Sequence, residues 1–158
     1  SSDVCSSDLR RFPRLDRPAV LVNDDAMLFD RVGGTEFFVR LVDEFYAGVV
    51  TDEVLWPLYP DQADLAGAKH RLALFLAQYW GGPTTYLEER GHPKLRMRHM
   101  PFRVGPLERD CWLVHMARAV EVVATDATIR DELMAYFVPA AEHLRNDTGL
   151  PISNQRPR

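Results

Sequence analysis

A chain of 158 residues is long enough for one domain with a real core and short for two. Its hydrophobic share of 46% and charged share of 27% are those of an ordinary globular protein. The formal charge of -4 argues against nucleic acid as the main partner, and no apolar run approaches the ~20 residues that cross a bilayer, so no membrane role is expected.

The chain opens on "SSDVCSSDL", a near-repeat without the apolar core of a secretory signal, followed by the basic, proline-containing "RRFPRLDRP". Residues 1–25 read as a disordered or non-native extension, residues 26–146 as the domain, and residues 147–158 as a tail. In "TEFFVRLVDEFYAGVV" the apolar residues Phe38, Leu41, Val42, Phe45, Tyr46 and Val49 share one helical face. Thr35, after Gly33-Gly34, is the expected cap. A short helix is expected from Thr51-Asp52, ending before "LYP", where Pro60 disfavours helical geometry at Tyr59.

"ADLAGAKHRLALFLAQYW" places Leu65, Ala68, Leu72, Phe75, Leu76 and Tyr79 on one side of a second long helix, which Gly81-Gly82-Pro83 stops. A third begins at Pro106 and carries Cys111, Trp112, Met116, Ala119 and Val123. A fourth is capped at Thr125-Asp126, with Ile129, Leu133, Tyr136, Phe137, Ala140 and Leu144 spaced for burial. Nothing reads as a strand, so the fold class is all-α. From Gly81 to Gly105 no strong period is visible, and a connection of that length is usually functional or disordered. Its Tyr86, Leu95, Met97 and Phe102 favour a packed bridge over disorder.

That bridge holds "RGHPKLRMRHMPF", which crowds two histidines, cations and prolines together. Read from the residues alone, it is a solvated loop, a phosphate patch, a zinc site or the seat of a cofactor metal. The spacing of His92 and His99 is unusual for zinc, and no second ligand cluster accompanies them. A haem iron needs only one protein imidazole, and its two propionates favour nearby Arg or Lys. His70 is expected to face solvent, and His115 and His143 to be ordinary, partly buried imidazoles on long helices. Cys5 and Cys111 show no metal or redox spacing, which makes a reducing cytoplasm the default. Cys111 reads as an inert core thiol.

The ordered set "DEFYAGV", "YPDQADLAGAKHRLALFLAQYWGGP", "GHPKLRMRHMPF" and "ERDCWL" resembles the truncated haemoglobins of the second group, over about Leu28 to Leu144. The resemblance implies a two-over-two helical sandwich around haem b, with the helix before the iron ligand largely replaced by a loop. It implies His99 as the iron ligand, its other ring N–H held by a backbone carbonyl. His92 would be structural or on the propionate side. Tyr46, Tyr59 and Trp112 would be distal donors towards a bound gas, against the plain alternative that aromatics at helical spacing are core. Ala68 would leave an opening where many globins carry histidine. Leu72, Phe75 and Phe102 would pack on the macrocycle, and Arg71 and Arg96 would meet the propionates.

The function so implied is binding of oxygen and other diatomics, nitric oxide and carbon monoxide among them. Nitric oxide dioxygenase or peroxidase-type chemistry, with peroxide as substrate and an unidentified reductase as partner, would follow from slow gas release. Homodimerisation, common in the family, leaves no mark in this sequence. The alternative from another class is a cofactor-free helical interaction module on the globin scaffold.

Overall fold

Two glycines set the direction of the first long helix. In a computed structural model that describes residues 26–59 and 62–147, Gly33 and Gly34 both take φ of 90°, a backbone region that side chains disfavour. They separate a single turn, α1 (Leu28–Arg31), from α2 (Thr35–Val49). The cap position of α2 belongs to Gly34, not Thr35, which is already helical. The extension, Cys5, Pro60 and the tail beyond residue 147 lie outside the described residues.

The apolar face of α2 is buried as its period predicts, with Phe37 added to it. Phe38 is fully enclosed, edge-on to Phe37 at 5.3 Å and stacked on Trp80 at 5.8 Å between ring centres. The helix expected at Thr51-Asp52 does not form. The Asp52 carboxylate accepts from the Val54 and Leu55 amides at 2.8 and 3.0 Å, an alternative to the helical ladder that short acidic side chains offer. Only a 3-10 turn, Trp56–Leu58, follows, and Tyr59 leaves it extended (ψ 111°).

A second 3-10 turn, Gln62–Asp64, leads into α3 (Leu65–Tyr79), where Asp64 caps by accepting from the Gly67 amide at 3.0 Å. Of the expected face, Leu76 is buried and Tyr79 is half exposed; Ala73 and Ala77 complete the buried stripe. Gly81, at φ 97°, ends the helix. The ring of Phe29 lies so close to Gly82 that a Cβ there would stand 2.6 Å from it, so α1 folds back onto this turn.

The bridge is not without structure. It holds α4 (Thr85–Arg90), whose Tyr86 is buried against Phe75, and α5 (Leu95–His99), launched by Lys94 in the left-handed region (φ 43°). Both are too short to leave a helical period in the sequence. α6 (Pro106–Val123) starts with proline in the first turn and the Glu108 carboxylate accepting from the Gly105 amide. Asp126 caps α7 (Ala127–His143), accepting from the Thr128 amide at 2.7 Å. The described residues contain helices and no strand.

α2 is the keystone, packing on both α3 and α6, while α6 packs on α7. α3 and α7 do not share an extensive interface. Two helix pairs, α2 with α3 and α6 with α7, therefore meet along α2 and α6 and leave a gap between much of α3 and α7. The site lies in that gap.

Candidate functional site

A cavity of about 260 Å³ opens there, near the lower end of the range for small-molecule sites. Its walls come from α2, the turn before α3, α3, α5, α6 and α7, and they are mostly apolar. Seven of the residues singled out in the sequence meet in it: Tyr46, Tyr59, Leu72, Phe75, His99, Phe102 and Trp112. Three others do not line it. Ala68 is half-buried against the core, Arg71 pairs with Asp64 at 3.4 Å, and Arg96 is exposed on α5.

His99 is the last residue of α5, and its Nδ1 lies 2.7 Å from the Leu95 carbonyl one turn back. A carbonyl only accepts, so the neutral ring carries its proton on Nδ1 and leaves the Nε2 lone pair unused by that bond. The backbone around it is stitched from outside. Asn146, just beyond α7, donates to the His99 and Phe102 carbonyls at 3.2 and 2.7 Å and accepts from the Val104 amide at 2.8 Å. Sequence reading missed Asn146, because its partners lie more than forty positions away.

Tyr46 and Tyr59 form a second polar cluster, their rings edge to face at 5.6 Å. Burial pushes the Tyr46 phenol up to about 12, against the smaller opposing pull of the Tyr59 hydrogen bond and the Arg71 charge. Tyr59 is raised further, by burial first and then by Tyr46. The two hydroxyls share one hydrogen bond, which uses one of their O–H groups and leaves the other for the cavity. Trp112 packs between Phe45 at 5.2 Å and Phe137 at 5.7 Å.

Leu55 and Leu58 also line the cavity, as do Tyr136, Phe137 and Leu144. The first two sit in the irregular turn. The last three had been read as buried positions of an ordinary helix, and only the gap between α3 and α7 makes them a wall. His70 is exposed as expected and pairs with Glu89 at 3.2 Å. His143, expected to be partly buried, is exposed at the end of α7, as is His92 in the bridge, and both stand outside the cavity. His115 Nε2 meets the Asp52 carboxylate at 2.6 Å, with both side chains largely buried, tying α6 to the turn after α2. Cys111 is fully buried.

The Bacterial-like globin family model matches residues 27–146. This chain belongs to the bacterial-like globins, in the truncated haemoglobin group. It is 39% identical over 115 residues to group 2 truncated hemoglobin YjbI of Bacillus subtilis (strain 168), covering 73% of this chain and 86% of that one. The solved hemoglobin of Thermobifida fusca is 52% identical, with a TM-score of 0.74 over 77% of this chain and 98% of that chain. The hemoglobin of Chloroflexus aurantiacus is 46% identical, with a TM-score of 0.74 over 78% and 100%.

Membership makes this globin a haem-based gas-binding protein with haem b as its cofactor. The donor set fits: one imidazole with an unused lone pair, apolar walls, and phenol and indole donors in the same cavity. A cofactor-free interaction module is not favoured. Among the described residues no helix is long and apolar enough to cross a membrane.

Proposed function

We propose that His99 ligates the haem iron through Nε2, and that Tyr46, Tyr59 and Trp112 form the polar side of a gas pocket with high affinity for oxygen. The observation that carries this is the 2.7 Å contact of His99 Nδ1 with the Leu95 carbonyl inside a cavity that also holds the three donors. When bound, haem supplies an iron that takes up diatomic gases and exchanges electrons. The protein's part is to hold the imidazole, keep water out with Leu72, Phe75 and Phe102, and aim O–H and N–H groups at the ligand.

The hydrogen bond shared by Tyr46 and Tyr59 uses one O–H of the pair and leaves the other as a donor for the cavity. A hydrogen bond to a ligand bearing negative charge contributes ~1.5–3 kcal/mol, and the low dielectric of an apolar pocket strengthens it. Ala68 offers only a methyl group on the side where α3 passes. Arg71 and Arg96 are the cations we assign to the two propionates, Arg71 through its guanidinium near Tyr46 and Arg96 from the surface of α5.

Slow release makes bulk oxygen delivery a poor task for such a site. Oxidation of nitric oxide with oxygen, or reduction of peroxide, suits it better, and both require a reductase to return the iron to its ferrous form. Stopped-flow oxygen release tests the assignment. Tyr46→Phe and Trp112→Phe should each speed release by about 10- to 100-fold, the loss of one charge-assisted hydrogen bond. Unchanged rates in both would remove the distal roles.

A further inference from the structure

The aromatic contacts on the α7 wall do not stop at the cavity. Tyr136, a wall residue, lies against Tyr79 with ring centres 4.0 Å apart and planes at 31°. Trp80 meets both rings edge-on at 5.0 Å. Tyr79 is 50% exposed at the end of α3. One phenol of the pocket therefore touches a phenol in water. A second branch reaches the same place from Trp112, through Phe137 at 5.7 Å and then Trp80 at 5.6 Å.

Phenols and indoles are the side chains that most readily give up single electrons, and rings in van der Waals contact allow such transfer between neighbours. A phenol sheds its proton with the electron. Burial, and then the neighbouring Tyr79, push the Tyr136 hydroxyl up to about 12, so at rest it keeps that proton. Tyr79 can pass its proton to solvent. The other tyrosines of the pocket, Tyr46 and Tyr59, reach the half-buried Trp56 at 6.0 Å on one side. On the other they join the Trp112 branch through Phe45, 5.2 Å from both Tyr46 and Trp112.

We infer that Tyr79 is a surface oxidation site, connected to the haem pocket through Tyr136, for phenolic reductants too bulky for the cavity. The inference rests on the peroxide-reducing reading above. One hydrogen peroxide takes two electrons and two protons, its O–O bond breaks, and two waters form. Two phenol molecules each give one electron and one proton at Tyr79, breaking their O–H bonds and leaving as phenoxyl radicals. Tyr79 and Tyr136 end each cycle as phenols.

The test treats the haem-loaded protein with hydrogen peroxide and a nitrone spin trap and maps the adduct by peptide mass spectrometry. In parallel, oxidation of 2,6-dimethoxyphenol and consumption of peroxide are followed. The adduct should fall on Tyr79, vanish in Tyr79→Phe and weaken in Tyr136→Phe, where only the branch through Trp112, Phe137 and Trp80 remains. Dimethoxyphenol oxidation should drop by about tenfold in Tyr79→Phe and by less in Tyr136→Phe, while Tyr79→Phe mixed with one equivalent of peroxide and no phenol consumes it at the wild-type rate. An adduct confined to Tyr46, Tyr59, Trp56 or Trp112, or phenol oxidation unchanged in both variants, overturns the assignment. A wild-type protein that consumes no peroxide overturns the peroxide reading and this site with it. One that consumes peroxide without labelling Tyr79 overturns this site alone.

Discussion

Removing one hydroxyl of the Tyr46–Tyr59 pair should cost more than removing both. Both phenols sit where burial has raised them far above their ordinary range, so water does not replace a lost partner. In one single variant the surviving O–H loses its acceptor, which costs about 1–3 kcal/mol for a buried donor left unmade. In the other the surviving oxygen loses its donor, a cheaper loss of about 0.5–1.5 kcal/mol. The double variant leaves two rings still in edge-to-face contact and no stranded hydroxyl, and replacing both partners by apolar groups is close to neutral. The cycle should thus show a coupling energy of about 1.5–4.5 kcal/mol in magnitude. Urea unfolding of the four haem-loaded proteins at one fixed haem concentration measures it, since bound cofactor shifts apparent stability. Additivity within ~0.3–0.5 kcal/mol would refute the pairing.

Asp52→Ala should destabilise by about 2–4 kcal/mol, because it removes the partner of His115 and the acceptor of two amides together. Burial opposes ionisation of Asp52, yet the His115 bond and the Leu55 and Val54 amides outweigh it and hold the carboxyl below its ordinary value. Its contribution is therefore complete above about pH 4 and is lost as pH falls through the lower folded value. The unfolding midpoint should decline on acidification below that pH, and less steeply in Asp52→Asn. Asn146→Ala should raise amide hydrogen exchange across residues 99–104 and cost about 1–2 kcal/mol, the loss of partly exposed hydrogen bonds that pin the bridge.

The four long helices were readable because each buries one stripe against a neighbour, and periodicity reports that burial directly. Pro106 and Asp126 marked their starts for local reasons, a fixed φ and a carboxylate within reach of free amides. Thr35 failed as a cap because the preceding glycines turn the chain into the helix themselves. The chemistry of the site was legible only through ordered motifs: a histidine in a basic loop has many uses, and the resemblance chose among them. Residues that act across the chain left no local trace. Asp52 answers to His115 sixty-three positions later and Asn146 to His99 forty-seven positions earlier. Tyr136 and Phe137 looked like core, which they are on one side. Nothing in α7 alone says that α3 meets it only at its end, through Tyr79 and Tyr136, and leaves a cavity before that. Arg71, read as a propionate contact, also pairs with Asp64, the carboxylate that caps its own helix, and nothing in the sequence pointed to that partner.

The central claim is that a porphyrin iron is held by the free nitrogen of His99. Titration of the apoprotein with haem, followed by visible absorption, should give a sharp Soret band at one equivalent in the wild type. The band should be lost or strongly weakened in His99→Ala, and restored by added imidazole. An alanine variant that binds haem with wild-type affinity and an unaltered spectrum would contradict the claim.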